Sequence, residues 1–309
     1  MQVTRRNLLA GMAKGAAIIV AAEAIMPVQA TAEESSKPSG NAVAMLYDAT
    51  HCVGCQACVS ACAQANHLSQ NGRLDTLRQG SRDLSDTSLN IIKLCNAGDG
   101  TASSFVKQQC MHCVDPACVA SCMFKALSKD ANSGVVSWNP SRCVGCRYCE
   151  IVCPYRIPRF QWSGMNPRIV KCEFCKDRLA QRQSPACTSV CPTHAVIFGK
   201  RADLLREASA RTKGNPHRYF EDRAFGEHEG GGTQVLYLSR ISFQKLGLPK
   251  LSNESIPAHS LKWQKRIYTW MLAPTAAYAV LVGLLSKRWR HHEDHMQENE
   301  IDTGLRPQL

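Results

Sequence analysis

The stretch HCVGCQACVSAC, residues 51–62, places four cysteines within eleven positions. Almost the same phrase returns as RCVGCRYCEIVC at residues 142–153. All 17 cysteines of the 309-residue chain lie between Cys52 and Cys191. They make up about 12% of that window, above the roughly 8–10% that marks a fold built around cysteine. A density this high indicates that the thiols have a structural or cofactor-binding role.

Sixteen of the cysteines form four groups of four. The groups are Cys52, Cys55, Cys58, Cys62; Cys110, Cys113, Cys118, Cys122; Cys143, Cys146, Cys149, Cys153; and Cys172, Cys175, Cys187, Cys191. The first and third have the spacing C-x-x-C-x-x-C-x-x-x-C of bacterial ferredoxins, in which three thiolates of one loop bind a cluster and the fourth binds another. The other two groups lengthen the middle of this pattern. Pro154 and Pro192 follow the last cysteine as the pattern requires, whereas Ala63 and Met123 depart from it.

This spacing suits a 4Fe-4S cubane, which needs soft anionic ligands at its four iron corners. Three closely spaced cysteines curl a loop around one side of the cluster, and the fourth ligand comes from elsewhere in the fold. The ferredoxin rule predicts four clusters with crossed ligation, in the sets Cys52, Cys55, Cys58, Cys191; Cys172, Cys175, Cys187, Cys62; Cys110, Cys113, Cys118, Cys153; and Cys143, Cys146, Cys149, Cys122. Cys95 belongs to no group, and we expect a buried thiol with no role in cluster binding.

The N-terminal sequence TRRNLLAGMAKGAAIIVAAEAIMPVQA resembles a twin-arginine export signal. Arg5 and Arg6 precede a weakly apolar stretch, and Ala30 ends a small-residue cleavage site. The alternative is an N-terminal anchor helix, but Lys14 and Glu23 interrupt the apolar stretch. The twin-arginine route carries folded proteins, so it suits a protein that receives its cofactors in the cytoplasm before export.

Near the other end, residues 267–286 read IYTWMLAPTAAYAVLVGLLS, without a charge. At 1.5 Å per residue these positions make about 30 Å of helix, the thickness of the hydrocarbon core of a bilayer. Lysines, arginines and tryptophans flank the stretch on both sides, as at membrane interfaces. A buried core helix is the alternative, although core helices seldom stay apolar all round for this length. The sequence predicts a transmembrane anchor at 263–290, followed by a polar tail at 291–309.

Two other uses of the thiols stay open at this point. Two C-x-x-C motifs can coordinate one zinc ion. The third cysteine of each group is redundant for such a tetrahedral site, however, and no histidine belongs to the sixteen ligands. Disulfides suit an exported protein, but export of a folded protein implies assembly in the cytoplasm, where thiols stay reduced. A secreted zinc or disulfide scaffold is therefore a third hypothesis.

The net charge of +12 says little about partners. Removal of residues 1–30 leaves 34 basic and 24 acidic side chains, and four oxidised clusters with their thiolates subtract about eight more charges. The basic residues are dispersed and do not form a continuous basic surface with aromatic residues between them, so we predict no nucleic-acid binding.

The order of the four groups resembles the four-cluster iron-sulfur subunits of membrane-linked respiratory oxidoreductases, over roughly residues 45–250. The resemblance rests on QCMHCVDPACVASC, GVVSWNPSRCVGCRYCEIVCPYRIPRF, and KCEFC with PACTSVCPTHAVIFG. Within that family, the export signal, EGGGTQVLYL at 229–238, LGLPKL and the C-terminal span are most similar to the hydrogenase-2 type. The subunits of formate dehydrogenases and of sulfoxide or polysulfide reductases share the cysteine pattern.

The resemblance implies an α+β fold of two interleaved bacterial ferredoxin-like units, followed by a single transmembrane helix. The predicted segments are a signal at 1–30, a linker at 31–44, a first unit at 45–108 plus 171–200, a second unit inserted at 109–170, and a C-terminal extension at 201–262. Within them we expect strands at NIIKLC, GVVSW and QVLYLS, a strand pair around NAGDGTAS at 96–103, and an amphipathic helix at 201–211.

The predicted function is electron transfer, with no catalytic residue in the chain. No nucleotide loop, pterin site or Ser-His-acid constellation occurs, and the glycines at 230–232 lack a phosphate-loop context. By resemblance, electrons pass from the large and small subunits of a periplasmic nickel-iron hydrogenase to an integral-membrane, quinone-linked subunit. The resemblance places the protein on the periplasmic face of the inner membrane. A molybdenum oxidoreductase of the formate dehydrogenase or sulfoxide/polysulfide reductase type is the alternative partner.

Overall fold

The computed structural model describes residues 38–68, 83–96, 103–162 and 168–302, and these ranges form nine strands and seven α-helices. The predicted export signal lies outside the described residues. The strands are β1 (Val43–Asp48), β2 (Asn90–Cys95), β3 (Ser104–Gln109), β4 (Leu127–Lys129), β5 (Val136–Trp138), β6 (Arg159–Phe160), β7 (Ile169–Val170), β8 (Val196–Lys200) and β9 (Val235–Leu238). The helices are α1 (Ala57–Ala65), α2 (Ala117–Ala120), α3 (Tyr148–Ile151), α4 (Lys176–Ala180), α5 (Ala186–Ser189), α6 (Arg201–Gly214) and α7 (Ile256–Asp302).

A three-stranded sheet with the order β8-β1-β9 forms the centre of the body. β1 pairs antiparallel with β8 and parallel with β9, with Met45 opposite both Phe198 and Val235. The predicted strand QVLYLS is confirmed as β9. The segment predicted as a C-terminal extension therefore supplies one edge of the central sheet.

The two faces of this sheet pack against different cores, because side chains alternate across a strand. Leu46 on β1 and Leu236 on β9 face α6, which contributes Leu204 to that core. Met45 and Tyr237 face the other core, which contains several of the cysteines. The predicted helix at 201–211 is thus confirmed as α6, and it covers the face of the sheet opposite the thiols.

Three hairpins complete the sheet structure of the described residues. β2 pairs with β3, with Asn90 opposite Gln109, which confirms the strand pair predicted around residues 96–103. β4 pairs with β5, and β6 pairs with β7. The predicted strands NIIKLC and GVVSW are confirmed as β2 and β5, and the α+β class is confirmed as well. The boundaries of the interleaved units stay a prediction.

The chain divides into a body up to Ala258 and a second unit from His259. Within α7, the segment Ile256–Arg290 is long enough to cross a membrane and contains an 18-residue stretch apolar enough to do so. It contains the predicted span at 267–286, and Pro274 lies inside the helix. Its large apolar side chains are exposed, as expected for a helix that faces lipid.

Candidate iron-sulfur centres

Four helices of the body present cysteines in the same way. Each of α1, α2, α3 and α5 carries the third cysteine of its group at its second position, and the fourth cysteine follows four residues later. In α1 both cysteines lie within the helix, one turn apart and on the same side, whereas the other three helices end before the fourth cysteine. α1 packs against α5, and α2 packs against α3. This packing brings the last cysteine of one group toward the loop of another.

The loops before α1 and α3 share a backbone shape. Gly54 and Gly145 have φ of +70° and +71°, and Gln56 and Arg147 have φ of +59° and +64°. Glycine adopts such left-handed positions without the steric penalty of a Cβ atom. A Cβ atom at Gly54 would lie 2.5 Å from the ring of Phe105. Glycine at this position therefore lets the loop curl while Phe105 packs against it.

One cavity is lined by four thiols from the first and fourth groups, which we call set A: Cys52, Cys55, Cys58 and Cys191. Tyr47 of β1 and Lys107 of β3 line the same cavity. Burial raises the pKa of Cys58 to about 12. The hydroxyl of Thr193 lies 3.8 Å from the sulfur of Cys191. The structure thus brings together the four cysteines of the first predicted ligand set.

A second cavity is lined by the thiols that we call set D: Cys122, Cys143, Cys146 and Cys149. Phe124, Trp138 and Tyr148 complete much of the wall. Burial, together with the neighbouring thiols of this set, raises the pKa of Cys149 to about 12. The backbone amide of Ala126 donates a hydrogen bond to the sulfur of Cys122 over 3.2 Å. These four cysteines also match a predicted ligand set.

A third set, set B, comprises Cys62, Cys172, Cys175 and Cys187. Burial raises the pKa of Cys62 to about 12, and the thiols of Cys187 and Cys175 add to the shift. Burial also raises the pKa of Cys172, and the thiols of Cys62 and Cys187 contribute to that rise. The backbone amide of Phe174 donates to the sulfur of Cys172 over 3.4 Å.

The fourth set, set C, comprises Cys110, Cys113, Cys118 and Cys153. Burial raises the pKa of Cys113, and the other three thiols of the set add to the shift. Burial raises the pKa of Cys118 to about 12 and that of Cys153 to about 11. In each of the four predicted ligand sets, therefore, the cysteines lie near one another. The assignment of ligands to clusters stays a prediction.

Electrostatic contacts between the sets place them in the series A, B, C, D. The thiol of Cys187 in set B acts on Cys58 in set A. The thiol of Cys110 in set C acts on Cys172 in set B. The thiol of Cys149 in set D acts on Cys118 in set C. These interactions, together with the packing of α1 on α5 and of α2 on α3, link the sets in the order A, B, C, D.

The thiols of each set lie at a spacing that suits a multi-iron cluster. All 17 cysteines are free thiols. Among the described residues, no three His, Cys, Asp or Glu side chains lie close enough to hold a single metal ion. A cubane spreads its four ligands around several irons and so accepts wider sulfur spacing. Since the raised pKa values keep the buried thiols protonated, metal binding must release protons.

Two buried lysines lie among the sets, and neither was predicted from the sequence. Lys107 is 1% exposed, and its ammonium donates to the side-chain oxygen of Gln109. Lys171 is 4% exposed, and its ammonium donates to the carbonyl oxygens of Val136 and Cys172. A lysine just before a cysteine group looks like an ordinary surface residue in a sequence. Only the packing of the body shows that both are buried.

Cys95 lies apart from the four sets, as predicted, but it is half-buried rather than buried. It lies at the end of β2 and lines a cavity of about 250 Å³ with Tyr155 and Leu246. Burial raises the pKa of its thiol. Cys95 is more exposed than predicted, because β2 ends at the rim of this cavity.

Comparison with known proteins identifies the family to which this chain belongs. A profile of the 4Fe-4S dicluster domain matches residues 101–201. The hydrogenase-2 operon protein HybA of Escherichia coli O157:H7 is 34% identical over 330 aligned positions, which cover 96% of this chain and 100% of HybA. The chain belongs to the HybA family. The resemblance predicted from the cysteine pattern is confirmed.

Other relatives belong to formate dehydrogenases. The iron-sulfur subunit of the nitrate-inducible formate dehydrogenase of Escherichia coli K12 is 33% identical, over 67% of this chain and 72% of that subunit. The formate dehydrogenase iron-sulfur subunit of Haemophilus influenzae is 28% identical, over 94% of this chain and 96% of that subunit. The family and the thiol sets together identify an electron-transfer subunit that holds 4Fe-4S clusters.

Proposed function

We propose that this chain relays electrons through four 4Fe-4S clusters, between a periplasmic nickel-iron uptake hydrogenase and a quinone-reducing subunit in the membrane. The observation that carries the proposal is the single series of thiol sets A, B, C and D. Bound clusters supply one-electron transfer, and closely spaced clusters pass electrons along their series. The chain has sixteen thiols in this series, enough for four clusters with four ligands each.

The protein supplies the spacing, the burial and the hydrogen bonds of each site. Loops and short helices hold the thiols, and backbone amides donate to sulfur at Cys122 and Cys172. Such hydrogen bonds and local charge tune the reduction potential of a cluster. Three thiols of set B and Cys110 of set C are buried in the body, which limits the access of water to the middle of the series.

Each end of the series has a thiol that is accessible to a partner. Cys55 of set A and Cys146 of set D are exposed. Val53 and Val144, which lie two residues before these cysteines, are each 59% exposed. Exposed apolar side chains beside an exposed ligand suit a surface that contacts another protein. The two ends therefore provide an entry and an exit for electrons.

The proposed location follows from the two ends of the chain. A twin-arginine signal at residues 1–30 would export the folded, cluster-loaded body to the periplasm. The apolar helix within Ile256–Arg290 would then anchor it at the periplasmic face of the inner membrane. In this proposed arrangement the body would lie beside the large and small hydrogenase subunits and an integral-membrane partner.

A molybdenum oxidoreductase is the second candidate partner, because several relatives are formate dehydrogenase iron-sulfur subunits. The same series of clusters serves either partner, since the chain carries electrons and not the catalytic metal. HybA, which aligns over its whole length, is the reason to place hydrogenase first.

The test is to purify the complex that contains this chain from membranes in mild detergent and to assay its metals. We expect nickel, hydrogen-dependent quinone reduction, and about sixteen iron atoms in this chain when it is purified alone, four for each cluster. Molybdenum with formate-dependent activity would favour the second candidate. Neither metal in a complex that contains the chain would contradict both partners. An iron content near eight in the isolated chain would contradict the cluster number.

A further inference from the structure

Lys107 is a buried cation at the boundary between two thiol sets. Its side chain leaves β3 and lines the set A cavity together with the sulfurs of that set. Its ammonium also acts electrostatically on Cys187 and Cys172 of set B. The lysine thus faces two adjacent sites of the proposed series at once.

The backbone holds Lys107 firmly in this position. Lys107 lies opposite Ile92 in the β2-β3 hairpin, and Ile92 lines the same cavity. The hydroxyl of Tyr237 on β9 donates to the carbonyl oxygen of Lys107 over 2.5 Å. The side chain is therefore fixed between the hairpin and the central sheet, and its charge has a defined place.

The described residues around the ammonium offer it polar contacts and no carboxylate. Gln109 accepts a hydrogen bond from it, and the phenol of Tyr237 and the thiols of sets A and B are its other polar neighbours. In the part of the chain that the structure describes, no carboxylate forms an ion pair with Lys107. Burial of a charge costs free energy unless an opposite charge compensates it. Anionic clusters held by these thiols would supply that compensation.

We infer that Lys107 is the shared counter-charge of the clusters in sets A and B, and that its ammonium raises the reduction potentials of both. This inference rests on the proposed function, because it requires clusters in these two sets. Reduction adds one electron, and hence one negative charge, to a cluster. A fixed positive charge nearby stabilises the more negative state, and the low dielectric constant of the interior strengthens that effect. Sets C and D lie further along the series, so the charge of Lys107 changes the reduction potentials of their clusters less.

Lys171, the second buried lysine, differs from Lys107 in its surroundings. Its ammonium donates to two carbonyl oxygens, which already compensate part of its charge. Lys93 on β2 provides the matched control, because it lies in the same hairpin but is 30% exposed and forms an ion pair with Asp83. Because solvent screens the charge of Lys93, its loss changes the electrostatic potential at the clusters little.

The experiment compares the full chain with its Lys107→Gln, Lys107→Met, Lys107→Arg and Lys93→Gln variants, purified in detergent with clusters loaded. Iron content and EPR-monitored redox titrations give the number of clusters and the midpoint potential of each. We expect Lys107→Gln and Lys107→Met to make two midpoint potentials more negative, or to lose those two clusters. Lys107→Arg and Lys93→Gln should keep four clusters at wild-type potentials.

Several outcomes would overturn the inference. Unchanged midpoint potentials in iron-complete Lys107→Gln would show that the charge has no effect. Equal loss of iron in Lys107→Arg and Lys107→Gln would show that the side chain serves packing rather than charge. A uniform shift of all four potentials would show that Lys107 is not specific to sets A and B. Wild-type chain with fewer than four 4Fe-4S clusters would instead count against the proposed function, so the two failures are distinguishable.

Discussion

Cys58 and Cys62 leave the same helix one turn apart, yet they belong to different sets of thiols. Cys58 lines a cavity with Cys191, whereas Cys62 lies near Cys175 and Cys187. One helix therefore contributes to two neighbouring sites. This arrangement joins the sites mechanically and keeps the distance between them short.

Crossed ligation predicts which pairs of cysteine substitutions have additive effects on the iron content. Cys62→Ala and Cys175→Ala should each remove the cluster of set B, because a cubane loses stability without its fourth ligand. The double variant should lose no more iron than either single variant, about four atoms per chain. Cys62→Ala combined with Cys55→Ala should lose about eight, since these residues belong to different sets. Iron analysis and EPR spectra of the purified chain measure both results.

Cys95→Ser is the matched control for these substitutions, because this thiol lies outside the four sets. It should leave the iron content unchanged. If the Cys62→Ala, Cys55→Ala double variant lost only about four iron atoms, the two residues would bind the same cluster. That result would show that the first group closes on its own cluster and would refute crossed ligation.

Gly54→Ala should weaken the set A site. The left-handed backbone at Gly54 costs a residue with a Cβ atom about 1–2 kcal/mol, and that atom would also meet the ring of Phe105. We expect a lower midpoint in denaturant unfolding and partial loss of one cluster. Gly40→Ala is the control, because a Cβ atom there has no neighbour within 4 Å. Equal stability and equal iron content in the two variants would contradict the role given to Gly54.

Replacement of Arg5 and Arg6 by lysine should leave a cluster-loaded protein in the cytoplasm. In the proposed export signal, the arginine pair would serve as an address that the export machinery reads. Cell fractionation with iron analysis of the cytoplasmic protein measures the result. Normal yield on the periplasmic side would contradict the export prediction, and an iron-free cytoplasmic protein would contradict assembly before export.

A chain that ends at Ser260 should be exported, soluble and brown. The last cysteine of the chain is Cys191, and the compact body ends at Ala258, so we expect no cluster site to depend on the apolar helix. The truncated chain should keep its full iron content and accept electrons from a small dye. Hydrogen-dependent quinone reduction in membranes should fall, because the anchor that keeps the body near its membrane partner is lost.

Two observations would contradict this prediction of a separate anchor. Retention of the truncated chain in washed membranes, in cells that lack its partner subunits, would show a second membrane attachment in the body. Loss of iron on truncation would show that α7 supports the cluster sites. The untruncated chain, expressed in the same cells, is the control for both measurements.

Much of the site was predictable because its chemistry is local. Cysteines spaced by two or three residues meet in one loop and helix turn whatever the rest of the chain does, so their spacing alone indicates the cofactor. The uncharged stretch at 267–286 is local in the same sense, since its length can be compared with a bilayer directly. Short strands such as β2 and β5 were also found from their own residues, before any pairing was known.

The long-range features required the folded chain. The place of β9 beside β1, the series A to D and the burial of Lys107 depend on contacts between segments more than 50 residues apart. In the sequence, Lys107 is one of 37 basic residues, and nothing near it distinguishes a surface charge from a buried one. Cysteine spacing defines a cluster site because its three nearest ligands share one loop. The neighbours of that site, and hence its electrostatics, arise only when distant strands and helices pack together.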